Sequence, residues 1–174
     1  MDLAAYIRNV PDFPIPGIQF KDITPLLRDG RALRAAVEQM AAPFIDSQID
    51  CVVGIESRGF ILGTPLALML QAGFVPVRKP GKLPADKLGA EYSLEYGVNR
   101  LEIHRDGIRP GERVLIVDDL LATGGSAAAA AELVQALGGT VVGMTFLVEL
   151  GFLGGRIKLK DCDVRSLITF EEGS

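Results

Sequence analysis

Two adjacent carboxylates, Asp118 and Asp119, stand between an apolar run and a turn of small residues. The run at 114–117 is typical of a strand that is buried on both faces of a parallel sheet. The turn at 122–126 leads into an alanine-rich helix, and backbone N–H groups at such a junction bind phosphate because the helix dipole adds a positive field. Since carboxylates repel phosphate, we expect the two acids to accept hydrogen bonds from hydroxyls or to help hold a cation. Phosphate on one side and hydroxyl acceptors on the other predict a ribose 5-phosphate site.

The turn offers several donors over a short span of chain. Charge-assisted hydrogen bonds from main-chain N–H groups and from two hydroxyls are worth about 1.5–3 kcal/mol each in favourable sites. The predicted phosphate loop consists of Ala122, Thr123, Gly124, Gly125 and Ser126.

Two other interpretations of the acid pair have to be weighed. Adjacent acids at a strand end are also common as loop residues or helix caps. An apolar strand followed by two acids further resembles the phospho-acceptor corner of a receiver domain. In a receiver domain, however, that corner follows the first strand, and four more strands with their helices come after it. The residues that follow Asp119 in this sequence are too few for those elements. A receiver also has no use for the small residues at 122–126.

A second polar turn, Glu56-Ser57-Arg58-Gly59, follows the apolar run at 51–55. Open α/β sheets bind ligands at the carboxyl ends of their strands, so we expect this turn to lie near Asp118. An Arg beside a Gly at such a turn suits a second phosphate group, and an ordinary surface Arg is the plainer alternative.

The segment from Arg78 to Gly97 is too long for an ordinary connection. It carries cations next to Gly and Pro, which fits either a solvated basic loop or a mobile lid. A lid that closed over a pyrophosphate group would exclude water, which otherwise competes as the nucleophile.

Strands alternate with helices along the chain, which predicts an α/β fold with a mostly parallel central sheet flanked by helices. The predicted helices lie at about 2–10, 29–43, 60–70 and 125–137, with a turn or short helix at 151–159. The predicted strands lie at 51–55, 74–77, 101–104, 114–117, 141–148 and 164–169.

Composition limits the classes of function. A chain of 174 residues with 48% apolar residues is expected to form one domain with a sizeable core. The net charge of −4 argues against nonspecific binding to nucleic acid or to anionic membranes. The two cysteines have no metal-ligand spacing and are expected to be reduced thiols, so we expect a cytoplasmic protein.

The segment VLIVDDLLATGGS at 114–126 resembles the ribose-phosphate signature of the type I phosphoribosyltransferases. Two further segments, PDFPIPGIQFKDI at 11–23 and the stretch 78–97 that ends in EYSLEYG, resemble the adenine-using branch of that family. The likeness runs from about Pro11 to Phe170. It implies one domain over 1–174 with the type I phosphoribosyltransferase fold, a small N-terminal hood at about 1–28 and a flexible lid at about 78–104.

The resemblance implies transfer of ribose 5-phosphate from 5-phosphoribosyl 1-pyrophosphate to adenine, which gives AMP and pyrophosphate. It also implies a homodimer and Mg²⁺ held mainly by the substrate, with Asp118 reaching the ion directly or through water and no dedicated protein ligands. Guanine, hypoxanthine or xanthine are the alternative bases. A regulator that binds nucleic acid is disfavoured because the chain has no basic stripe. An oxidoreductase that binds a dinucleotide is disfavoured because no G-x-G-x-x-G follows an early strand.

By the same resemblance each site residue receives a role. Asp118 and Asp119 would hold the ribose hydroxyls, Glu95 would act as general acid/base at the purine N7, and Tyr96 would line the closed lid. The Glu56–Ser57 peptide bond is the expected position of a cis peptide. The implied pyrophosphate-binding residues are Ser57, Arg58, Arg78, Lys79 and Lys82, and the implied adenine-binding residues are Gln19, Phe20 and Lys21.

Overall fold

A computed structural model describes residues 1–94 and 96–173 of the chain. Its elements, in chain order, are β1 (Arg8–Pro11), β2 (Gln19–Asp22), α1 (Thr24–Arg28), α2 (Gly30–Ala41), β3 (Cys51–Ile55), α3 (Arg58–Met69), β4 (Gly73–Val77), β5 (Lys87–Leu94), β6 (Gly97–His104), β7 (Arg113–Leu121), α4 (Gly125–Ala136), β8 (Thr140–Leu150) and β9 (Val164–Phe170). Short 3₁₀ turns cover Ala4–Tyr6, Ala42–Phe44, Gly151–Leu153 and Gly155–Leu159.

Five of the strands form a central sheet in the order β4-β3-β7-β8-β9. All the neighbouring strands in it run parallel, which confirms the predicted α/β class. The two inner strands β3 and β7 are apolar and buried on both faces, as their unbroken runs of Val, Ile and Leu predict. One face packs against α4 and the hairpin β5–β6, and the other packs against α2 and α3.

The registers of the inner strands bring two loops together. Gly54 of β3 pairs with Val117 of β7, so both strands end at the same edge of the sheet. The turn that contains Arg58 and the acids of β7 therefore lie side by side, as the sequence predicted. Strand β7 itself continues through Asp118 and Asp119 to Leu121, beyond the predicted end at residue 117.

Two antiparallel ribbons lie outside the central sheet. Strands β1 and β2 form the first, and β5 and β6 form the second. The second ribbon joins the main body where Arg78 and Glu102 exchange two backbone hydrogen bonds of 2.9 and 2.8 Å. The sequence predicted only the returning strand at 101–104, whereas β6 spans eight residues.

The predicted first helix at 2–10 is wrong. The Asp2 carboxylate accepts a hydrogen bond of 3.1 Å from the backbone N–H of Ala4, but only one 3₁₀ turn follows. Arg8 then enters strand β1 and pairs with Asp22 of β2. Pairing with a distant strand outweighs the local helix signal here, and Pro11 could not have continued a helix. No helix in the described ranges 1–94 and 96–173 is long and apolar enough to cross a membrane.

Candidate active site

A cavity of about 260 Å³ opens at the carboxyl ends of β3 and β7. Both acids, Arg58, Glu56 and the whole loop 122–126 line it, together with Tyr92 of β5. The structure therefore brings together the predicted hydroxyl acceptors, the predicted phosphate loop and one of the predicted pyrophosphate-binding cations.

The two acids are buried and each has a partner. Their relative exposures are 8% for Asp118 and 5% for Asp119. One oxygen of Asp118 accepts a 2.8 Å hydrogen bond from the backbone N–H of Asp119, and the Asp119 carboxylate pairs with the Arg58 guanidinium. Burial, reinforced by the neighbouring charge of Asp119, raises the pKa of Asp118 well above its ordinary value. The carboxyl oxygens of such a pair can accept hydrogen bonds from hydroxyls that enter the cavity.

Gly59, in the first turn of α3, permits this close arrangement. A Cβ atom on Gly59 would lie 2.9 Å from the Val117 carbonyl oxygen and 3.0 Å from an oxygen of Asp118. Only glycine lets the start of α3 approach β7 so closely, and this approach places Arg58 beside Asp119. The Glu56–Ser57 peptide bond that precedes it is cis, as the resemblance implied.

The loop 122–126 ends where α4 begins. Gly124 adopts a positive φ of 82°, which glycine takes without strain, and no side chain in the described part of the chain caps the helix start. The N–H groups of the first turn of α4 therefore remain available to an anion at the cavity. A Cβ on Gly125 would lie 3.0 Å from the ring of Tyr92, so the second ribbon covers this helix start.

A second cavity of about 410 Å³ lies beneath the first ribbon. Phe20 and Phe13 form an edge-to-face pair in it, with ring centroids 5.1 Å apart. The Arg58 guanidinium lies 5.6 Å from the Phe20 ring and lines both cavities. An apolar cleft with an aromatic face fits a flat heterocyclic base, and Arg58 joins it to the polar cavity.

The neighbours of Phe20 make different contacts. The Gln19 side chain accepts a 2.9 Å hydrogen bond from Asn9 across the ribbon and does not line the cavity. Lys21 is buried, which lowers its pKa, and its ammonium group lies 4.1 Å from the centre of the Phe170 ring. Lys21 thereby connects the first ribbon to the end of β9.

The remaining predicted cations lie outside the two cavities. The Arg78 guanidinium is 3.2 Å from the Glu56 carboxylate, which also accepts a 2.8 Å hydrogen bond from the backbone N–H of Lys79. Lys82 is exposed, as is Ser57 at the start of α3. Burial by itself would raise the pKa of Glu56, but the hydrogen bonds from the Lys79 N–H and from Arg78, with their charges, together outweigh it and lower the pKa, so Glu56 neutralises Arg78 in this conformation.

The turn of the second ribbon carries the two lid residues. Tyr96 is 90% exposed there. Glu95 lies outside the described residues. Within the described ranges, no three His, Cys, Asp or Glu side chains gather closely enough to hold a metal ion.

Sequence reasoning missed two contributors to this site. Tyr92 covers the start of α4, and its place in a polar segment gave no sign of that contact. Arg156, which lies just beyond a Gly-Gly pair, forms an ion pair with Glu149 behind the loop 122–126. The Gly-Gly pair was the available signal, because adjacent glycines often mark a close approach of two backbones.

Known proteins match the chain over nearly its whole length. The family model for the phosphoribosyl transferase domain matches residues 25–171. An adenine phosphoribosyltransferase from Chloroflexus aurantiacus is 58% identical over 97% of this chain and 98% of its own. The crystal structure of adenine phosphoribosyltransferase from Thermoanaerobacter pseudethanolicus superposes with a TM-score of 0.95 at 53% identity, covering 97% of this chain and 98% of that one. The enzyme from Giardia lamblia complexed with 9-deazaadenine gives a TM-score of 0.92 at 40% identity, covering 97% and 96%.

Proposed function

Because the chain belongs to the phosphoribosyltransferase family, we propose that it transfers ribose 5-phosphate from 5-phosphoribosyl 1-pyrophosphate to adenine and releases AMP and pyrophosphate. The observation that carries this proposal is that Arg58 lines two cavities. One is the cavity of about 260 Å³ that contains Asp118 and Asp119, the acidic cavity, and the other is the cavity of about 410 Å³ around Phe20, the apolar cavity. A sugar phosphate in the first cavity and a base in the second would meet beside Arg58. The names of the relatives and the 9-deazaadenine bound to the Giardia lamblia enzyme support adenine as that base.

The acidic cavity would hold the ribose 5-phosphate portion of the donor. Its 5-phosphate would accept hydrogen bonds from the amides of the loop 122–126 and from the hydroxyls of Thr123 and Ser126. The vicinal hydroxyls of the ribose would donate to Asp118 and Asp119. As the bond to pyrophosphate breaks, the anomeric carbon gains positive charge, and two nearby carboxylates have the right sign to stabilise it.

The apolar cavity would hold the base against Phe20. Stacking on an aromatic ring contributes about 1–3 kcal/mol and fixes the plane of the base. Main-chain groups at Gln19 and Lys21 would read the edge of the base. The side chains of these two residues make other contacts, and of the two it is Lys21 that lines the apolar cavity, so its main chain is the better placed for this role.

The leaving pyrophosphate would be stabilised by Arg58, by the Ser57 turn and by the cations of the segment at 78–86, which leads into the second ribbon. Arg78, Lys79 and Lys82 are placed for this only if the ribbon closes toward the acidic cavity. Closure would exchange the contact between Arg78 and Glu56 for contacts to pyrophosphate, and Tyr96 would then line the enclosed site.

Mg²⁺ fits this site as a partner of the substrate. The carboxylates that face the acidic cavity and could ligate a metal ion are those of the two acids and Glu56. Asp119 is already paired with Arg58, and Glu56 with Arg78. Asp118 is then the residue best able to contact the ion through water. When bound to the pyrophosphate oxygens, Mg²⁺ supplies charge neutralisation to the leaving group.

Glu95 is the proposed proton-transfer residue at the purine N7. Replacing Glu95 with Gln keeps its size and removes its acid–base chemistry. We expect Glu95→Gln to slow single-turnover AMP formation by about 10²-fold or more, in the range of general acid–base catalysis, with binding of phosphoribosyl pyrophosphate retained. An unchanged single-turnover rate would remove this role.

The activity is tested by mixing the protein with Mg²⁺, phosphoribosyl pyrophosphate and one nucleobase at a time. We expect AMP and pyrophosphate with adenine, and little product with guanine, hypoxanthine or xanthine. A nucleotide formed only from another base would move the assignment to that base, and no nucleotide from any of them would refute the transferase. We also propose a cytoplasmic homodimer, which sedimentation of the purified protein and fractionation of cells would test.

A further inference from the structure

The phosphate loop rests on another piece of backbone. Gly155 lies against it so closely that a Cβ atom on Gly155 would overlap the carbonyl oxygen of Ala122. In the opposite direction, a Cβ on Gly124 would overlap the Gly155 carbonyl oxygen. Two glycines therefore face each other, and the position of Gly155 limits where the peptide groups of the loop can lie.

The next residue, Arg156, fixes Gly155 to the central sheet. Its Nε and Nη2 donate hydrogen bonds of 2.8 Å to the two oxygens of Glu149, near the end of β8. Its Nη1 donates a third bond of 2.8 Å to the carbonyl oxygen of Val164, at the start of β9. The Ser166 hydroxyl donates a 2.6 Å bond to Glu149 and completes the arrangement.

This cluster has the properties of a rigid support. Glu149 is 6% exposed, and the contact with Arg156 is the main cause that lowers its pKa. A bidentate pair with a planar guanidinium has far less orientational freedom than a single contact to an ammonium group. Glu149 also pairs in register with Leu121, the residue directly before the loop. The cluster thus reaches the loop by two routes, one through the sheet and one through Gly155.

We propose that Arg156 is a positioning residue for the 5-phosphate: together with Glu149 it holds Gly155 against the loop 122–126 and so sets the geometry of the phosphate-binding amides. Arg156 itself does not line the acidic cavity, so its effect passes through Gly155. The assignment of this loop to a 5-phosphate rests on the function proposed above. A pair that only stabilised the fold would affect the base and the sugar phosphate alike, whereas a positioning pair affects the sugar phosphate first.

The test compares Arg156→Lys with a matched control in the full-length protein. Arg156→Lys keeps the charge but cannot make the three 2.8 Å bonds together. Arg165→Lys is the control, because Arg165 makes a similar 2.8 Å contact with Asp163 at an exposed position and neither residue lines the acidic cavity. We expect Arg156→Lys to raise KM for phosphoribosyl pyrophosphate about tenfold or more, since small misplacements of binding groups carry large costs. The KM for adenine should stay nearly unchanged, and Arg165→Lys should match the wild type.

A second readout does not require catalysis. The ³¹P resonance of bound ribose 5-phosphate reports the hydrogen bonds of the phosphate itself, and we expect it to shift in Arg156→Lys and not in Arg165→Lys. Gly155→Ala leaves the ion pair intact and pushes on Ala122 directly, so it should give the same pattern of KM changes if Arg156→Lys does not fold.

The outcomes separate the two proposals. An inactive wild-type protein that still binds ribose 5-phosphate would refute the transferase and leave the positioning role testable by the ³¹P shift. An active wild type whose Arg156→Lys and Gly155→Ala variants keep both the KM for phosphoribosyl pyrophosphate and the ³¹P shift would overturn the positioning role. A fall in thermal stability with equal changes in both KM values would overturn it as well.

Discussion

The edge of the central sheet and the two antiparallel ribbons differ in how they hold their residues. At the sheet edge, Asp118 and Asp119 are 8% and 5% exposed and lie on a strand with neighbours on both sides. On the ribbons, Phe13 and Tyr96 are 50% and 90% exposed. A two-stranded ribbon is marginally stable by itself, so each ribbon depends on contacts with the main body. In the second ribbon Ala90, Leu101 and Ile103 are buried in the core, whereas Tyr96 at its turn is exposed. The groups proposed to meet the reacting bond are thus on the buried edge of the sheet, and the groups proposed to select and enclose the base are on the more exposed ribbons.

This difference predicts different kinetic effects. Changes at the sheet edge should alter the chemical step, because they move or remove charge at a fixed position. Changes on the ribbons should alter binding or access and leave the chemical step closer to normal. The following experiments test that division, beginning with the largest expected effect.

Asp119→Asn removes one carboxylate from the sheet edge. We expect kcat to fall by about 10²–10³-fold, the usual size for one lost electrostatic contact to a transition state. The control is Asp163→Asn, which removes a half-exposed carboxylate paired with Arg165 and should leave turnover unchanged. Steady-state kinetics and circular dichroism separate lost chemistry from lost folding, and near-normal turnover would remove the ribose-hydroxyl role of Asp119.

Phe20→Leu keeps an apolar side chain and removes the ring from the first ribbon. We expect the KM for adenine to rise about tenfold, because base stacking contributes about 1–3 kcal/mol, while the KM for phosphoribosyl pyrophosphate changes little. Phe13→Leu, at the other ring of the edge-to-face pair, should have the smaller effect. Equal effects of the two substitutions would contradict a direct stacking role for Phe20.

The second ribbon should exchange between open and closed arrangements. We expect limited proteolysis between about residues 79 and 91 in the free protein, slowed several-fold by phosphoribosyl pyrophosphate with Mg²⁺ because ligand binding lowers the population of the open form. Cleavage elsewhere in the chain serves as the internal control. The same cleavage rate with and without ligand would argue against closure.

Asp118→Asn should make the fold more stable even as it lowers activity. Its folded pKa is raised by burial and by Asp119, so the protonated form favours the folded state. The fold therefore loses stability as pH rises from the unfolded pKa of about 3.9 through the raised folded pKa. We expect Asn to raise Tm by about 2–4 °C for each 1 kcal/mol regained at pH 8, with the difference vanishing near pH 4. A lower Tm for Asp118→Asn at pH 8 would contradict this sign.

The central sheet and the acid-pair loop could be predicted from sequence because their signals are local. An unbroken apolar run predicted β7, although the strand continues through the two acids to Leu121, and adjacent glycines marked the start of α4. The Asp29 side chain, expected to open a helix, accepts bonds from the N–H groups of Arg31 and Ala32, as predicted. These features need only neighbouring residues to form.

The ribbons and the supports of the site could not be predicted in the same way because they depend on distant partners. Arg8 lies in strand β1 rather than in the expected helix because it pairs across the ribbon with Asp22, fourteen positions away. The contact between Arg58 and Asp119 spans 61 positions. No hydrophobic period encodes such pairs.

Arg58 lines both the acidic cavity and the apolar cavity, and this double role restricts how the protein can evolve. A lineage that adopted a different heterocycle would have to reshape the wall around Phe20 without displacing a cation that also restrains Asp119. Val10 and Ile23 line the apolar cavity and not the acidic one, so substitutions at these positions avoid that conflict. Libraries aimed at new nucleobase analogues should therefore begin at those two positions and keep Arg58 constant.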